Sequence, residues 1–407
     1  MNKKIIRGFS QIMTALLFSS VLSGCWGRTE LNDVAFVLGL GIDKAENGYT
    51  VTTQVVIPSE ISSQVTGGGG GSRVPVIVYR TQARSIYDAM QKFNLDNPRK
   101  SYLGHIRMLV IGEELARSGV GSTLDFFKRN RESRLDFYVM IAKDTTASNV
   151  LKVLTPLDKI PANKLFHSLD HSYRDSARTV AVPLDDFIEN LISEGKAPVL
   201  TGVKIMGDPE EGAEKSNVER TVPKTRLVYE NVAVFKKDKM IGWLNENEAI
   251  GYNFIVDTLD SNSGVLPGED GKPITIDAVH TSTKRKVRFI DGEPHIYLSV
   301  QATCSIQESQ GIEDLDTVSS ISDLEKETEQ RITDRMKNSV EVITKRYNTD
   351  IMGFGQLIYR AKPKVWAKLH QQKGDHYLES IPVHYSASVV INRIGLMDKS
   401  FIDAIKE

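Results

Sequence analysis

The sequence predicts an α+β protein of more than one domain, with mixed sheets packed against helices. Three observations lead there. A chain of 407 residues exceeds one ordinary core. Runs of strand length alternate irregularly with short helical patterns, without the regular βαβ rhythm of a doubly wound sheet. The second half contains one long helical stripe, from Ser322 to about Tyr347. The expected division is residues 1–24 as a signal peptide, 25–198 as an N-terminal α+β domain and 199–407 as a C-terminal α+β domain open to further subdivision.

In the N-terminal part, the apolar run Val34 to Ile42 reads as a buried strand, with close backbone approach at Gly39 and Gly41. Asn47-Gly48 is a hairpin signal, and Tyr49, Val51, Thr53, Val55 and Ile57 alternate with more polar neighbours behind it. Ser59 to Arg73 has no apolar period and contains the glycine run Gly67 to Gly71, so a mobile loop is expected. Strands follow at "VPVIVYR", "HIRMLVIG" and "LDFYVMIAK". Helices are expected over Ala83 to Phe93 and at "EELARSG", "STLDFFKRN", "TASNVLKVL" and "DDFIENLISEGKAP".

The C-terminal part opens on the strand "VLTGVKIMG", behind which "DPEEGAEKSNVERTVPK" reads as an exposed loop. A strand, a turn at Lys237-Asp238, a short strand and a helix account for "TRLVYENVAVFKKDKMIGWLNENEAIGYNFI". Further strands are expected at Ile274 to Val279, Lys284 to Phe289 and His295 to Ile306. In the long helix, Ser322 and Glu325 have capping-box spacing. Leu324, Thr328, Ile332, Met336, Val340, Ile343 and Tyr347 make one stripe, expected to face a sheet. A helix broken at Pro363 and the strand "VHYSASVVINRIG" complete the chain.

The N-terminus carries a targeting signal. "MNKKIIR" is cationic, and "GFSQIMTALLFSSVL" has the length of a secretion-signal core rather than the roughly twenty residues of a membrane span. Leu22-Ser23-Gly24-Cys25 then resembles the bacterial lipobox. The expected chemistry is cleavage between Gly24 and Cys25, with S-diacylglycerol and N-acyl modification of Cys25. Two or three acyl chains anchor a protein stably where one is marginal.

Charge and composition exclude several classes. The 51 Lys and Arg nearly cancel the 52 Asp and Glu, which gives no electrostatic case for nucleic acid. Cys25 and Cys304 are the only cysteines, too few for a disulfide scaffold. The glycine run lacks the strand, helix and Lys-Ser/Thr pair of a phosphate loop, and "GLGID" lacks a dinucleotide site's third glycine. His167 and His171 share a helix face if that segment is helical, yet have neither an intervening glutamate nor a third ligand. Ser193 and Lys196 spell Ser-x-x-Lys at an expected helix end, where the geometry is not held. The adjacent pairs Glu113/Glu114 and Asp185/Asp186 point in different directions on a helix. No catalytic residue, metal or cofactor is therefore assigned.

"GCWGRTELNDVAFVLGLGIDK" resembles the start of mature Ger(x)C-type lipoproteins, the C subunits of nutrient germinant receptors in endospore-forming bacteria. The likeness continues in order through "GHIRMLVIGEELARSGV", "LDFFKRNRESRLDFYVMIAK", "AVFKKDKMIGWLNENEA", "MGFGQLIYRAKPKVWAKL" and "VVINRIGL". The resemblance implies a multi-domain α+β protein, lipid-anchored at Cys25 on the outer face of the inner spore membrane. Its implied partners are a membrane-spanning A subunit and a transporter-like B subunit, and it implies no enzymatic activity. Trp26 and Glu30-Leu31-Asn32-Asp33 match the family without an assigned role, and Gly67 to Gly71 departs from it. The alternative from another class is an extracytoplasmic solute-binding lipoprotein of a transporter. The irregular order of elements speaks against it.

Overall fold

The structure is a computed structural model describing residues 7–9, 11–14, 33–58, 60, 74–259, 262–267, 273–309 and 318–393. It is α+β, built on two sheets. Among the described residues no helix is long and apolar enough to cross a membrane.

The first sheet has nine strands. They are β1 (Val34–Ala45), β2 (Gly48–Val56), β3 (Val76–Ala83), β4 (Lys100–Tyr102), β5 (Met108–Gly112), β6 (Tyr138–Ala142), β7 (Val199–Met206), β8 (Arg226–Lys236) and β9 (Lys239–Leu244). Their order is β3-β2-β1-β5-β6-β7-β8-β9, with β4 paired to β1. The centre, β1-β5-β6-β7, is parallel and the flanks are antiparallel. Helices cover both faces, so the central strands are apolar throughout. Leu109 and Ile111 of β5 face one core with α1 (Ile86–Asp96), α2 (Glu113–Ser118) and α3 (Gly121–Arg129). Met108 and Val110 face the other, with α4 (Ala147–Lys152) and α5 (Pro161–Asp175). A sixth helix, α6 (Leu184–Ile192), adds Leu184 and Phe187 to the first core.

Close packing explains the glycines of β1. A Cβ at Gly39 would lie 2.9 Å from Leu151 Cδ2, and one at Gly41 would lie 3.1 Å from Leu151 Cδ1. The sequence suggests a half-buried β2, but Thr50, Thr52, Thr53 and Gln54 are also buried. Gln54 makes that possible by bonding at both ends: Nε2 donates to Leu151 O at 2.7 Å, and Oε1 accepts from Ala162 N at 3.0 Å. It thus links the end of α4 to the start of α5. Gln54→Leu would leave both backbone groups unpartnered, and is expected to lower stability by about 3 kcal/mol, read as a fall in the urea midpoint.

The sheet runs across the expected division at 198/199. β7 pairs in parallel with β6 and antiparallel with β8, so 199–244 belongs to the N-terminal layer. The expected exposed loop at 208–224 is exposed over most of its length but pinned at two points. Asp208 caps α7 (Pro209–Ala213) through Glu210 N and Glu211 N. The buried Asn217 then bonds Leu154 O, Thr225 O and Thr225 N.

The second unit begins with α8 (Glu246–Val256), whose Asn245/Glu248 capping box is complete. Its sheet runs β10 (Asn262–Pro267), β11 (Pro273–Ile290), β12 (Glu293–Ser309), β13 (Val383–Arg393). The strands expected at Ile274–Val279 and Lys284–Phe289 are one strand with a bulge between Ala278 and His280. The intervening threonines continue it because Thr281 Oγ1 donates to Leu259 O and Thr283 N to Asp257 Oδ1.

The long helix α9 (Val318–Val342) ends in a π turn over Ile343–Tyr347. Leu324, Ile332, Met336, Ile343 and Tyr347 are buried, as the stripe requires. Ser322 lies inside the helix and does not cap it. Glu325 instead accepts from Ile391 N at 2.9 Å, and Glu329 from Val389 N at 3.0 Å. Two glutamates one turn apart thus occupy backbone donors on the free edge of β13, a site otherwise open to another strand. The helices α10 (Phe354–Ala361) and α11 (Pro363–Lys373), separated at Lys362, close this core. Its apolar cluster also takes in Val199, Val232, Val234 and Leu244 of the first sheet, so the two units share a core.

Candidate functional site

Gly24, Cys25, Trp26, Glu30-Leu31-Asn32 and Gly67 to Gly71 lie outside the described residues. Other residues singled out in the sequence take local structural partners. Asp43 of "GLGID" is buried and accepts from Ala147 N and Ser148 N at 2.8 and 3.0 Å, so β1 caps α4 from a distance. Burial pushes its carboxyl up, against those two hydrogen bonds. Glu113 takes Arg117 and Trp243 Nε1, while Glu114 pairs with Lys44. Asp185 and Asp186 sit in the first turn of α6, where the helix dipole favours them. His167 and His171 both lie on α5, and among the described residues no group of three or more His, Cys, Asp or Glu is arranged to hold a metal.

Ser193 and Lys196 lead to the site where the two units meet. Ser193 ends α6 and its Oγ accepts from Gln356 Nε2 at 2.8 Å. The next residues run against the segment "DIMGFGQ". Ala197 N donates to Asp350 O at 2.7 Å and Gln356 N to Gly195 O at 3.0 Å. Glu194 accepts from Trp366 Nε1 at 3.1 Å, and Lys236 pairs with Asp375 at 2.7 Å. Gly195 has φ +69°, and a Cβ there would lie 2.5 Å from Gly355 C. The two backbones touch.

At the centre is the buried Asp350. Oδ1 accepts from Gly353 N at 2.7 Å; Oδ2 accepts from Gly355 N and Tyr377 Oη, both at 2.6 Å. Burial pushes this carboxyl up and the donors oppose the shift. Burial and the Asp350 charge push the Tyr377 phenol up, which keeps it a donor. Tyr377 in turn meets Trp366 edge-on at 4.8 Å. Burial, then Arg285, pushes the Lys196 ammonium down. The carboxylate's three donors all belong to the second unit, so it fixes the turn at 350–355, while the bonds from 193–197 and Lys236 join that turn and its neighbours to the first unit. Sequence reasoning does not find Asp350 because its partners come together only in the fold, although a carboxylate inside "TDIMGFG" is a charge among apolar and glycine residues.

Fold and site together define an α+β protein of two sheet units that share a core and meet at a backbone joint, one side of which is shaped by a buried carboxylate. Residues 27–205 match the family model for the spore germination protein N-terminal domain, and residues 230–395 match the model described as spore germination B3/GerAC like, C-terminal. Relatives from Bacillus subtilis (strain 168) include spore germination protein KC, 30% identical over 96% of this chain and 97% of its own length. Another is spore germination protein B3, 25% identical over 93% and 96%. A crystal structure of the GerBC protein covers 87% of this chain and 97% of its own at 20% identity and TM-score 0.53, which shows the shared fold. The chain belongs to the Ger(x)C family of spore germination proteins.

Proposed function

We propose that the protein is a non-enzymatic, lipid-anchored C subunit of a nutrient germinant receptor, needed for spores to respond to a nutrient. The observation that carries this reading is the 30% identity to spore germination protein KC along 96% of the chain. In the proposal, Cys25 holds the folded body on the outer face of the inner spore membrane beside the A and B subunits. Confinement to a surface raises the effective concentration of the subunit near those partners. Cys304, the other thiol, is buried, and burial pushes it up to about 11, which suits a core residue and not a nucleophile.

Cys25→Ala is expected to move the protein from the membrane to the soluble fraction and to abolish or strongly delay nutrient-triggered germination. Full membrane retention together with a normal nutrient response in C25A spores would exclude anchoring through this residue.

A further inference from the structure

Helix α5 presents two different stripes. Ala162, Leu165 and Leu169 are buried in the sheet core. Lys164, His167, Ser168 and His171, at i, i+3, i+4 and i+7, line a cleft of about 400 Å3 on another side. That volume lies in the range of small-molecule sites. The facing wall is apolar: Leu154, Pro156 and Leu157 on one segment and Leu227 on β8. This wall is held in place before any ligand arrives. Leu154 N donates to Gly212 O, Asn217 Nδ2 donates to Leu154 O, and Thr155 Oγ1 donates to Asp158 O. Leu157 itself is 103% exposed, an apolar side chain held out by a fixed loop with nothing among the described residues covering it.

The charges of the cleft are unbalanced. Lys164 Nζ makes one hydrogen bond, to Leu227 O at 3.0 Å, and lies 5.3 Å from the centre of the Tyr229 ring. Among the described residues it has no carboxylate partner, and two of its three N–H donors meet no acceptor. Burial pushes this ammonium down to about 8, the cost of holding a lone cation in an apolar wall. Arg226, which also borders the cleft, has no hydrogen-bond or ion-pair partner among the described residues. The one carboxylate present, Asp158, is engaged: Oδ2 meets His167 Nδ1 at 3.1 Å and Oδ1 accepts from Ile160 N at 3.3 Å. The cleft therefore lacks an anion and an apolar body.

We propose that this cleft binds a small organic carboxylate with an apolar tail, the carboxylate on Lys164 and the tail along Leu154, Pro156, Leu157 and Leu227. The one carboxylate of the cleft already holds two partners, so a monocarboxylate is expected to bind at least as well as a zwitterion. This goes beyond the receptor-subunit reading and does not depend on it.

The test is calorimetric titration of the full chain at pH 7, with buffer alone as the blank. The probes are 4-methylpentanoate, the uncharged 4-methylpentanol and leucine. Saturable binding of 4-methylpentanoate at least ten-fold tighter than the alcohol is expected, with leucine no tighter than the acid. Lys164→Met should weaken the acid at least ten-fold and leave the alcohol unchanged, and Lys164→Arg should restore most of the loss. Leu157→Ser, at a fully exposed position that the fold does not need, should weaken both probes several-fold. The proposal is overturned if acid and alcohol bind alike, or if neither binds. It also fails if leucine binds far tighter than the acid, or if K164M and L157S both bind the acid as the parent does.

Discussion

Asp350→Ala is expected to cost about 4 kcal/mol of stability, read as a lower urea midpoint of the full chain, and to loosen the contact between the two units. The size follows from what the carboxylate accepts. Removing it leaves Gly353 N, Gly355 N and the Tyr377 hydroxyl facing a cavity that water enters poorly. A buried donor left without an acceptor costs about 1–3 kcal/mol, and the methyl group of alanine returns none of this. Asp350→Asn separates shape from acceptor chemistry. Its amide can keep one oxygen toward Gly353 N and donate to Tyr377 Oη, but then its NH2 group confronts Gly355 N–H. An intermediate loss, about 2 kcal/mol, is expected. If D350N were as stable as the parent, the Gly355 N bond to Oδ2 would contribute nothing measurable. Tyr377→Phe removes one donor and leaves the two backbone bonds, so it should cost less than either change.

Much of this fold can be read along the chain because single residues report their surroundings. The unbroken apolar runs of β5 and β6 announce strands covered on both faces. The complete Asn245/Glu248 capping box marks the start of α8. The same spacing at Ser322/Glu325 misleads, since an edge strand nearly seventy residues further on offers Glu325 a backbone N–H that local sequence cannot show. In β2, polarity reads as exposure, whereas Gln54 and its threonine neighbours are buried because distant helix ends supply partners. The Asp291-Gly292 turn, with φ of +51° and +86°, is a hairpin signal that would have located the β11–β12 pair. Pro161 at the first turn, followed by Ala162, Leu165 and Leu169, carries the mark of α5. Reading that segment for metal ligands draws attention to the two histidines and away from Lys164, whose burial depends on β8.

Gly195→Ala tests whether the joint matters to function beyond holding the fold. At φ +69° an alanine is strained, and its methyl would sit 2.5 Å from Gly355 C and 2.7 Å from Gln356 N. Neither atom is the end of a flexible side chain, so the two backbones have to separate. The Gln356 N to Gly195 O bond is the first to be lost, and the neighbouring Ala197 N to Asp350 O and Ser193 to Gln356 contacts shift with it. A loss of about 3 kcal/mol is expected, from backbone strain together with a forced opening of the packed contact. The apolar cluster shared by the two units remains, so the chain should stay folded while hydrogen exchange rises first over 193–198 and 350–357. On the proposed receptor-subunit reading, G195A spores should germinate slowly with nutrient although the protein is present at normal abundance. Gly39→Ala is the matched control: it also crowds packed atoms, with a Cβ 2.9 Å from Leu151 Cδ2, but lies on β1, away from the joint. Equal germination by both variants at equal abundance would reduce the joint to a structural fastening.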